Sequence, residues 1–502
     1  MSESTSKARV SNRFLGQPKG LFVLYLTEMQ ERLSFYGMKA ILFLFLTAKV
    51  IEGGWHMDKN DATLCVGIYG FLVYVSGIPA GWFADRYIGS RKAVLWGAIL
   101  QTIGHVLLGI TSSKAWFVGG IAFLSMGTGL LKTNISSMVG QLYTREDASR
   151  EKGFSFFYQG INVGAIIGIA LVPAVKDMWG YHAGFMAAGI GMGLSLFIFI
   201  AGSRYLPRVT NAQKTNVAIS LVIPGIASLI LTVLFLANRY VGYEGVMGLL
   251  NSANLLLTGV LVVLLLASCI YFFYKARNQE ERNRMAMIFM TCIGVVGFIA
   301  IYLQCDGFLT SFAKEKINRN ITLFNWHFEI GPDYFQILNP IFIILFSFSV
   351  VWCWKQIEKA YWPTLSPVTK IGVGLVFIAL DALIIMLAVH FARQQGTVSS
   401  IWLVVIYLVM VIAEICVLVT GLSFVSKMAP TKFKSTFMGI LWGCISLGSL
   451  LSGQIGSIAM QNEESAYRLF GSLFLVFTAL GLLYICLNQF TYRLTYKKIA
   501  GT

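Results

Sequence analysis

The residues most able to do chemistry in this sequence are charged side chains inside long apolar segments. The first such segment carries Glu28, Glu31, Arg32, Tyr36 and Lys39. Residues three or four apart lie on one face of a helix, so the first four of these form one polar stripe. A charge at membrane depth costs from about 2.5 to more than 10 kcal/mol, which makes each one a functional candidate. Two acids and two bases exceed what an ion-pair cluster needs for packing alone, which favours a functional stripe over a structural one.

Four further charges, Lys132, Asp306, Asp381 and Glu414, lie deep in other apolar segments. Lys132 has no acid near it in sequence and therefore needs a partner from another helix or an anionic ligand. Glu414 is the opposite case in the second half of the chain, where a carboxylate needs a cation or a proton. A positive cluster in one half and an acid in the other suit a zwitterionic solute. Asp381 is either a titrating group or a hydrogen-bonded, neutral structural acid, and the structural interpretation is favoured.

The elements that position these residues are membrane helices. Of the 502 residues, 56% are hydrophobic and 12% are charged, which is about half the charged fraction of soluble domains. A helix needs about 20 apolar residues to span a bilayer. Candidate spans occur at roughly 21–47, 61–84, 93–111, 116–139, 154–174, 181–203, 217–239, 246–275, 285–312, 335–354, 370–392, 400–427, 434–458 and 467–492. The chain is therefore predicted to be an all-α membrane protein with 14 transmembrane helices.

The placement of basic residues predicts the topology. The net charge is +16, but Lys and Arg lie in short turns rather than in a patch interleaved with aromatics, which excludes a nucleic-acid groove. One set of alternate turns, together with both termini, holds 26 of the 39 Lys and Arg residues. This asymmetry predicts a multi-pass protein of the cytoplasmic (inner) membrane with both termini in the cytoplasm.

Six helices, then two, then six is the natural division of the chain. Two six-helix bundles are the usual alternating-access design, with the substrate site at the midplane between them. The predicted parts are a cytoplasmic tail (1–20), an N-terminal bundle (21–205), a linker with two extra helices (206–284), a C-terminal bundle (285–492) and a second cytoplasmic tail (493–502).

Several stretches of the sequence resemble the signature motifs of one transporter family. They are the ExxERFxYYG-like stretch 28–37, the GxxADRxxGxR-like turn 81–92, the GxGxxKPN-like stretch 127–134, the FYxGINxGA-like helix 154–168, the LNPxF element 338–342, and Glu414 with 421–423. Together they resemble the proton-dependent oligopeptide transporters of the major facilitator superfamily. Bacterial members of that family also carry two extra helices between the two six-helix bundles.

The resemblance implies a proton-coupled symporter that imports di- and tripeptides by alternating access. It implies no catalytic activity, no metal and no cofactor, because the proton gradient drives transport. The partners it implies are peptides, protons and the lipid bilayer, with no nucleic acid, and the carrier is expected to function as a monomer. The implied site residues are Glu28, Glu31, Arg32 and Asp306 for proton coupling, Arg32, Tyr36, Tyr69, Lys132, Asn162, Asn339, Glu414 and Trp442 for the peptide, and Asp85, Arg86, Gly89 and Arg91 for the gating turn.

Within this implied site, Arg32 and Lys132 take the peptide carboxylate, and Asn162, Asn339 and Glu414 take its amino terminus. The sequence departs from the family pattern at Phe35, which lacks the hydroxyl of the signature tyrosine, and at Thr133, which replaces a proline. It departs again around Trp442 and Asp306.

These departures leave open a related carrier of another anionic or zwitterionic solute, such as a peptide-like drug, an amino-acid conjugate or a nitrate-like anion. A non-transporting solute sensor is a further alternative. An enzyme is the poorest fit, because no GxSxG elbow, HExxH helix, phosphate-binding loop or CxxC pair occurs.

Overall fold

The structure is a computed structural model that describes residues 13–14, 16–110, 113–143, 149–207, 242–276, 278–323, 326–360, 365–429 and 434–496. Within these ranges the chain is overwhelmingly helical, because a helix satisfies its own backbone hydrogen bonds in lipid. The helices are α1 (Lys19–Thr47), α2 (Lys59–Phe83), α3 (Ser90–Ile110), α4 (Lys114–Gln141), α5 (Arg150–Trp179), α6 (Tyr181–Ala201), α7 (Gly242–Lys275), α8 (Gln279–Tyr302), α9 (Phe308–Glu315), α10 (Leu338–Ala360), α11 (Pro367–Gln395), α12 (Ile401–Glu414), α13 (Thr420–Met428), α14 (Lys434–Ala459), α15 (Glu463–Cys486) and α16 (Asn488–Tyr496).

The predicted membrane architecture is confirmed. In the described part of the chain, 11 helical segments are long and apolar enough to cross a membrane. Helices α1 and α4 occupy two more predicted spans. The charged stripe makes α1 more polar than these segments, although the helix is long enough to span a bilayer. The predicted span 217–239 lies outside the described residues.

Two predicted spans contain breaks that the hydropathy pattern does not reveal. The span predicted at 285–312 is α8 and α9 joined by a 3-10 turn at Leu303–Asp306. The span predicted at 400–427 is α12 and α13 joined by a π turn at Ile415–Val419. At the first break the Thr310 hydroxyl donates a 2.8 Å hydrogen bond to the Cys305 carbonyl. Side chains can satisfy backbone groups freed inside a membrane helix in this way.

In the described ranges, short strands occur only in the segments outside the helices. Strands β1 (Arg13–Phe14) and β2 (Gln17–Pro18) pair antiparallel ahead of α1. Strands β4 (Asn320–Leu323) and β5 (Trp326–Glu329) form an antiparallel hairpin in the connection after α9. Strand β3 (Ile317–Asn318) precedes that hairpin. It pairs in parallel with β6 (Val398–Ser399), which precedes α12.

The described residues fall into two compact units. The first lies within Met1–Trp55 and Leu72–Val246, and the second within His56–Phe71 and Met247–Thr502. In the first unit, α1 packs against α5 and α6, and α3 packs against α4 and α6. Its core combines side chains from these helices, including Leu24, Ile135 and Phe199.

Glycines bring α1 and α5 into close contact in the first unit. A Cβ atom at Gly164 would lie 2.9 Å from the Cβ of Arg32, and one at Gly160 would lie 3.0 Å from the ring of Tyr25. Gly168 similarly meets the backbone of Leu33. Small residues at this spacing let membrane helices approach backbone to backbone. The glycines of the 154–168 stretch therefore hold α5 against the charged face of α1.

The second unit contains its own glycine contact, between the first part of α2 and α14. A Cβ atom at Gly67 would lie 2.8 Å from the Cα of Gly453, and the Ser449 hydroxyl donates a 3.1 Å hydrogen bond to the Gly67 carbonyl. Helix α7 packs on the same α14, where Gln454 Nε2 donates to Asn254 Oδ1 over 2.9 Å. Elsewhere in this unit α8 packs against α14, and α11 against α15.

Candidate functional site

The charged stripe predicted on α1 is a buried ion-pair cluster in the first unit. Glu28, Glu31 and Arg32 are 2%, 0% and 1% exposed. Nε of Arg32 lies 3.3 Å from Oε1 of Glu28 and donates a hydrogen bond to Oε2 of Glu31. All three residues belong to one helix, so no second helix is needed to bring the charges together. These three residues are called the α1 cluster below.

One atom of each residue in the α1 cluster has no hydrogen-bond partner among the described residues. The three atoms are Oε2 of Glu28, Oε1 of Glu31 and Nη2 of Arg32. Leaving a buried polar atom unpaired costs about 1–3 kcal/mol, and more when the group is charged. Each carboxylate therefore keeps an oxygen that can accept a proton, and the guanidinium keeps a nitrogen that can donate to an anion. These are the atoms that proton exchange and carboxylate binding require.

A second base interacts with the α1 cluster from another helix. The half-buried Lys132 of α4 interacts electrostatically with the charges of the α1 cluster. Its Nζ also lies 5.3 Å from the ring centroid of Tyr74 on α2. A cation over an aromatic face gains about 0.5–2 kcal/mol. Helix α4 runs unbroken past Lys132, and the Thr133 hydroxyl donates to the Gly129 carbonyl over 2.8 Å.

Aromatic rings of α1 cover one side of the guanidinium. The Cζ atom of Arg32 lies 4.9 Å from the ring centroid of Phe35 and 6.0 Å from that of Tyr36. The Nζ of Lys39 lies 5.9 Å from the same Phe35 ring. Phe35 thus lacks the hydroxyl of the signature tyrosine but retains a ring close to the Arg32 guanidinium.

Asn162 of α5 is buried in the same unit. Its side chain is 5% exposed, and its Nδ2 has no hydrogen-bond partner among the described residues. The close approach of Gly164 to Arg32 brings this part of α5 against α1. An unpaired amide N–H at membrane depth is a donor available to a ligand.

The residues predicted to bind the peptide amino terminus include a pair in the second unit. Nδ2 of Asn339, at the start of α10, donates a 3.1 Å hydrogen bond to Oε2 of Glu414, the last residue of α12. Tyr69 is 3% exposed on α2, and Trp442 is half-buried on α14. The roles of these four residues in binding remain predictions.

The predicted proton site Asp306 lies at the break between α8 and α9. It is the last residue of the 3-10 turn and is 3% exposed. Sγ of Cys305 lies 3.6 Å from its Oδ1. Two residues before Asp306, Gln304 donates from Nε2 to both the carbonyl and the hydroxyl of Ser452 over 2.9 Å. The break therefore places a buried carboxyl group in the interior of the second unit.

The predicted gating turn follows α2 as a π turn at Ala84–Ile88. It ends at Gly89, whose φ of +77° favours glycine and whose N–H donates to the Ala84 carbonyl over 2.8 Å. The guanidinium of Arg86 is exposed and lies 5.9 Å from the ring centroid of Tyr87. The side chain of Asp85 lies outside the described part of the structure.

Sequence reasoning missed two aromatic residues and misjudged one acid. Tyr74 was passed over because it is not in a signature motif, and Tyr407 because it lies in a uniformly apolar run. Asp381 was interpreted as a hydrogen-bonded structural acid. In the described structure, however, both of its side-chain oxygens are buried without a hydrogen-bond partner. Hydropathy cannot reveal either the contact of Tyr74 with Lys132 or the lack of partners around Asp381.

Known proteins resemble this chain over most of its length. A family model described as PTR2, POT family, matches residues 91–471. The uncharacterized transporter YclF of Bacillus subtilis is 33% identical over 491 residues, which are 96% of this chain and 95% of that protein. A di-/tripeptide transporter of Lactococcus lactis subsp. cremoris is 33% identical over 461 residues, or 90% of this chain and 91% of that protein.

Solved structures agree with these relatives. A crystal structure of a mutant of the peptide transporter POT in complex with alafosfalin superposes with a TM-score of 0.85 at 29% identity. The match covers 99% of this chain and 100% of that one. Sequence and fold therefore give the same answer: this chain belongs to the POT family of membrane transporters.

Proposed function

We propose that this chain is a proton-coupled symporter that imports di- and tripeptides by alternating access. The observation that carries the proposal is the α1 cluster, which holds two carboxylates and a guanidinium at membrane depth. One atom of each has no hydrogen-bond partner among the described residues. The Lactococcus lactis relative, named as a di-/tripeptide transporter, supports peptide as the solute. The carrier has no enzymatic activity and no resident cofactor.

In this mechanism the basic residues bind the peptide carboxylate. Arg32 and Lys132 are the bases of the first unit that interact with Glu28 and Glu31. A guanidinium binds a carboxylate through parallel N–H donors, which gives geometry as well as charge. The peptide amino group binds Glu414, with Asn162 and Asn339 as neutral partners. Because these contacts use only the peptide termini, many side chains are accepted.

Protons are coupled through competition for Arg32. When Glu31 is ionised, its carboxylate holds Nε of Arg32. Protonation of Glu31 or Glu28 removes one negative charge from the α1 cluster and frees the guanidinium for the peptide carboxylate. A buried charge without a partner is costly. Binding of a proton therefore favours binding of the peptide, and binding of the peptide favours binding of the proton. This reciprocity is the thermodynamic basis of symport.

The carrier acts as a monomer in the cytoplasmic (inner) membrane, with both termini in the cytoplasm. The excess of Lys and Arg in alternate turns supports this orientation. An inward proton gradient then drives peptide into the cell.

Uptake of a labelled dipeptide into proteoliposomes tests the proposal. We expect accumulation above the external concentration under an inward proton gradient, and its loss when an ionophore collapses the gradient. Asp177→Asn is the matched control, because Asp177 pairs with Lys176 at the end of α5 and is 49% exposed. Its uptake should match wild type.

Two outcomes would contradict the proposal. Uptake that reaches only the external concentration, with or without the gradient, would show a facilitator rather than a symporter. No uptake by protein that a thermal-shift assay shows to be folded would exclude the peptide. In that case a competing zwitterionic or anionic solute becomes the candidate substrate.

A further inference from the structure

A second group of buried acids lies in the second unit, outside the α1 cluster. Asp381 is midway along α11 and is 0% exposed. Tyr407 on α12 is 2% exposed and interacts electrostatically with Asp381, Asp306 and Cys305. Three helical elements thus contribute one titratable cluster at membrane depth. We call Asp306, Asp381 and Tyr407 the acidic cluster.

Among the described residues, Asp381 has no partner that would stabilise a negative charge. Neither of its oxygens has a hydrogen-bond partner in the described residues, and no ion pair is formed there. Its neighbours on α11, Ile378, Ala379, Ala382 and Ile385, are apolar and no more than 1% exposed. An isolated carboxylate in such surroundings neutralises instead of remaining charged. These surroundings therefore favour the neutral, protonated carboxyl group.

We propose that Asp381, together with Asp306 and Tyr407, forms a second proton-binding site of this carrier. The site binds a proton in the described conformation and releases it when transport rearranges the second unit. The proposal deepens the proposed function, because it assigns a second coupled proton to the same transport cycle.

A line of hydrogen-bonded polar groups begins at the carbonyl of Cys305, next to Asp306 in the chain. The Thr310 hydroxyl donates to the Cys305 carbonyl and accepts a 3.1 Å hydrogen bond from Nε2 of Gln336. Gln336 belongs to the 3-10 turn Pro332–Ile337, which also carries the wholly buried Asp333. Chains of polar and acidic side chains are the usual proton routes in membrane transporters. This line joins the turn that carries Asp306 to the turn after the β4–β5 hairpin.

Other titratable groups packed against α11 lie away from Asp381. They include Glu464, which pairs with Arg393, Glu358, which pairs with Lys370, Tyr467, which packs against His390, Tyr484, which packs near Gly372, and Cys416, which packs against Gly374. None supplies a cation at the middle of the helix. In the described residues no group of three or more His, Cys, Asp or Glu is arranged to hold a metal ion, which favours a proton over a metal cation.

The test measures how many protons accompany each peptide. In proteoliposomes, the logarithm of the limiting accumulation is plotted against the imposed pH difference, and its slope equals the number of coupled protons. We expect Asp381→Asn to lower this slope by about one, so that a gradient of about one pH unit supports about tenfold less accumulation. Peptide exchange without a gradient should stay close to wild type, and Asp177→Asn should leave the slope unchanged.

An unchanged slope in folded Asp381→Asn would overturn the proposal. Loss of gradient-free exchange as well as accumulation would also overturn it, because it would show a positioning role. Accumulation driven by a sodium gradient and lost in Asp381→Asn would replace the proton by a sodium ion.

Infrared difference spectra between acidic and alkaline buffer test proton binding at Asp381 independently of the proposed transport function. A carbonyl band of a protonated carboxyl group should disappear in Asp381→Asn and change its position in Tyr407→Phe. This measurement requires no transport, so it tests the site even if wild type accumulates no peptide. If Asp381→Asn fails to fold, the shift of the carbonyl band in Tyr407→Phe decides whether Asp381 binds a proton. Absence of any band that depends on these residues would exclude proton exchange at Asp381.

Discussion

The two units stabilise buried carboxyl groups in opposite ways. In the first unit, Glu28 and Glu31 share one guanidinium, and a second base interacts with them. In the second unit, Asp381 has no cation and no hydrogen-bond donor among the described residues. All three carboxyl groups are at most 2% exposed, so burial alone does not distinguish them.

This difference teaches that membrane depth does not dictate the charge of an acid. A carboxylate beside Arg32 can stay ionised, because the ion pair offsets part of the desolvation cost. A carboxyl group without a partner can be buried only in its neutral form. Under the two proposals above, the first unit binds an anion such as a peptide carboxylate, and the second unit holds a proton.

Removal of Arg32 should have the largest effect on stability and uptake, because it abolishes the difference between the two units. In Arg32→Ala, Glu28 and Glu31 would lose their guanidinium. They would then resemble Asp381 of the second unit, which has no partner among the described residues. Breaking a buried ion pair by deleting one partner costs about 3–5 kcal/mol, so we expect a lower melting temperature and no peptide uptake. Arg32→Lys, which keeps a charge, should recover stability but not bidentate carboxylate binding. Wild-type uptake by a folded Arg32→Ala protein would contradict the role of the α1 cluster.

Glu31→Gln should separate proton coupling from peptide movement. The amide keeps the shape of the side chain but cannot exchange a proton, and it weakens the hold on Arg32. We expect uphill accumulation in proteoliposomes to be lost while exchange of internal for external peptide persists. Retained accumulation against a gradient would show that coupling does not depend on Glu31.

Glu414→Gln should selectively weaken binding of the peptide amino terminus. The amide still accepts the hydrogen bond from Asn339, so the local fold is preserved. A hydrogen bond to a charged group contributes about 1.5–3 kcal/mol, so affinity for a free dipeptide should fall about 10- to 100-fold. Competition assays should show little change for an N-acetylated dipeptide. An equal loss for both peptides would place Glu414 outside the amino-terminal subsite.

Gly164→Val should test whether the α1 cluster depends on close packing. A Cβ atom there would lie 2.9 Å from the Cβ of Arg32 and closer still to the Met29 carbonyl. Overpacking of this kind costs about 1–3 kcal/mol, which a thermal-shift assay would record as a lower melting temperature. Gly193→Ala is the matched control, since nothing lies within 4 Å of its added Cβ. Equal stability of the two variants would contradict the close approach of α1 and α5.

The exposed ion pair between Lys59 and Glu315 should matter least. Its Nζ and Oε1 atoms are 2.5 Å apart, but the two side chains are 42% and 41% exposed. Exposed pairs contribute about 0–1 kcal/mol, so Lys59→Gln should change the melting temperature only slightly. A loss as large as that of Arg32→Ala would show that exposure does not govern the strength of ion pairs in this protein.

Much of the fold was predictable because hydropathy and charge act locally along the chain. Eleven predicted spans coincide with apolar helices of the structure, and α1 and α4 fill two more. The breaks at Leu303–Asp306 and Ile415–Val419 were not predictable, because both lie in apolar runs that favour a continuous helix. The β4–β5 hairpin was missed because its strands are short and lie between two spans.

The candidate site was predictable to different extents in the two units. Glu28, Glu31 and Arg32 lie on one helix, so their spacing alone indicated a cluster. Asn339 and Glu414 lie on different helices, and only the resemblance to the family suggested that they act together. Asp381 was misjudged because a hydrogen-bonded acid and an unpaired acid have the same sequence signal.

The sequence by itself determined that this chain spans a membrane, how its spans are ordered and which family it belongs to. These properties follow from residues that are close in sequence, since apolar length, turn charge and motif spacing are local. Only the tertiary structure decided which buried charges have partners. It brought Lys132 into the field of the α1 cluster and Asn339 to Glu414, and it left Asp381 among apolar side chains. Those distances depend on helix packing, which is set by residues far apart in the chain.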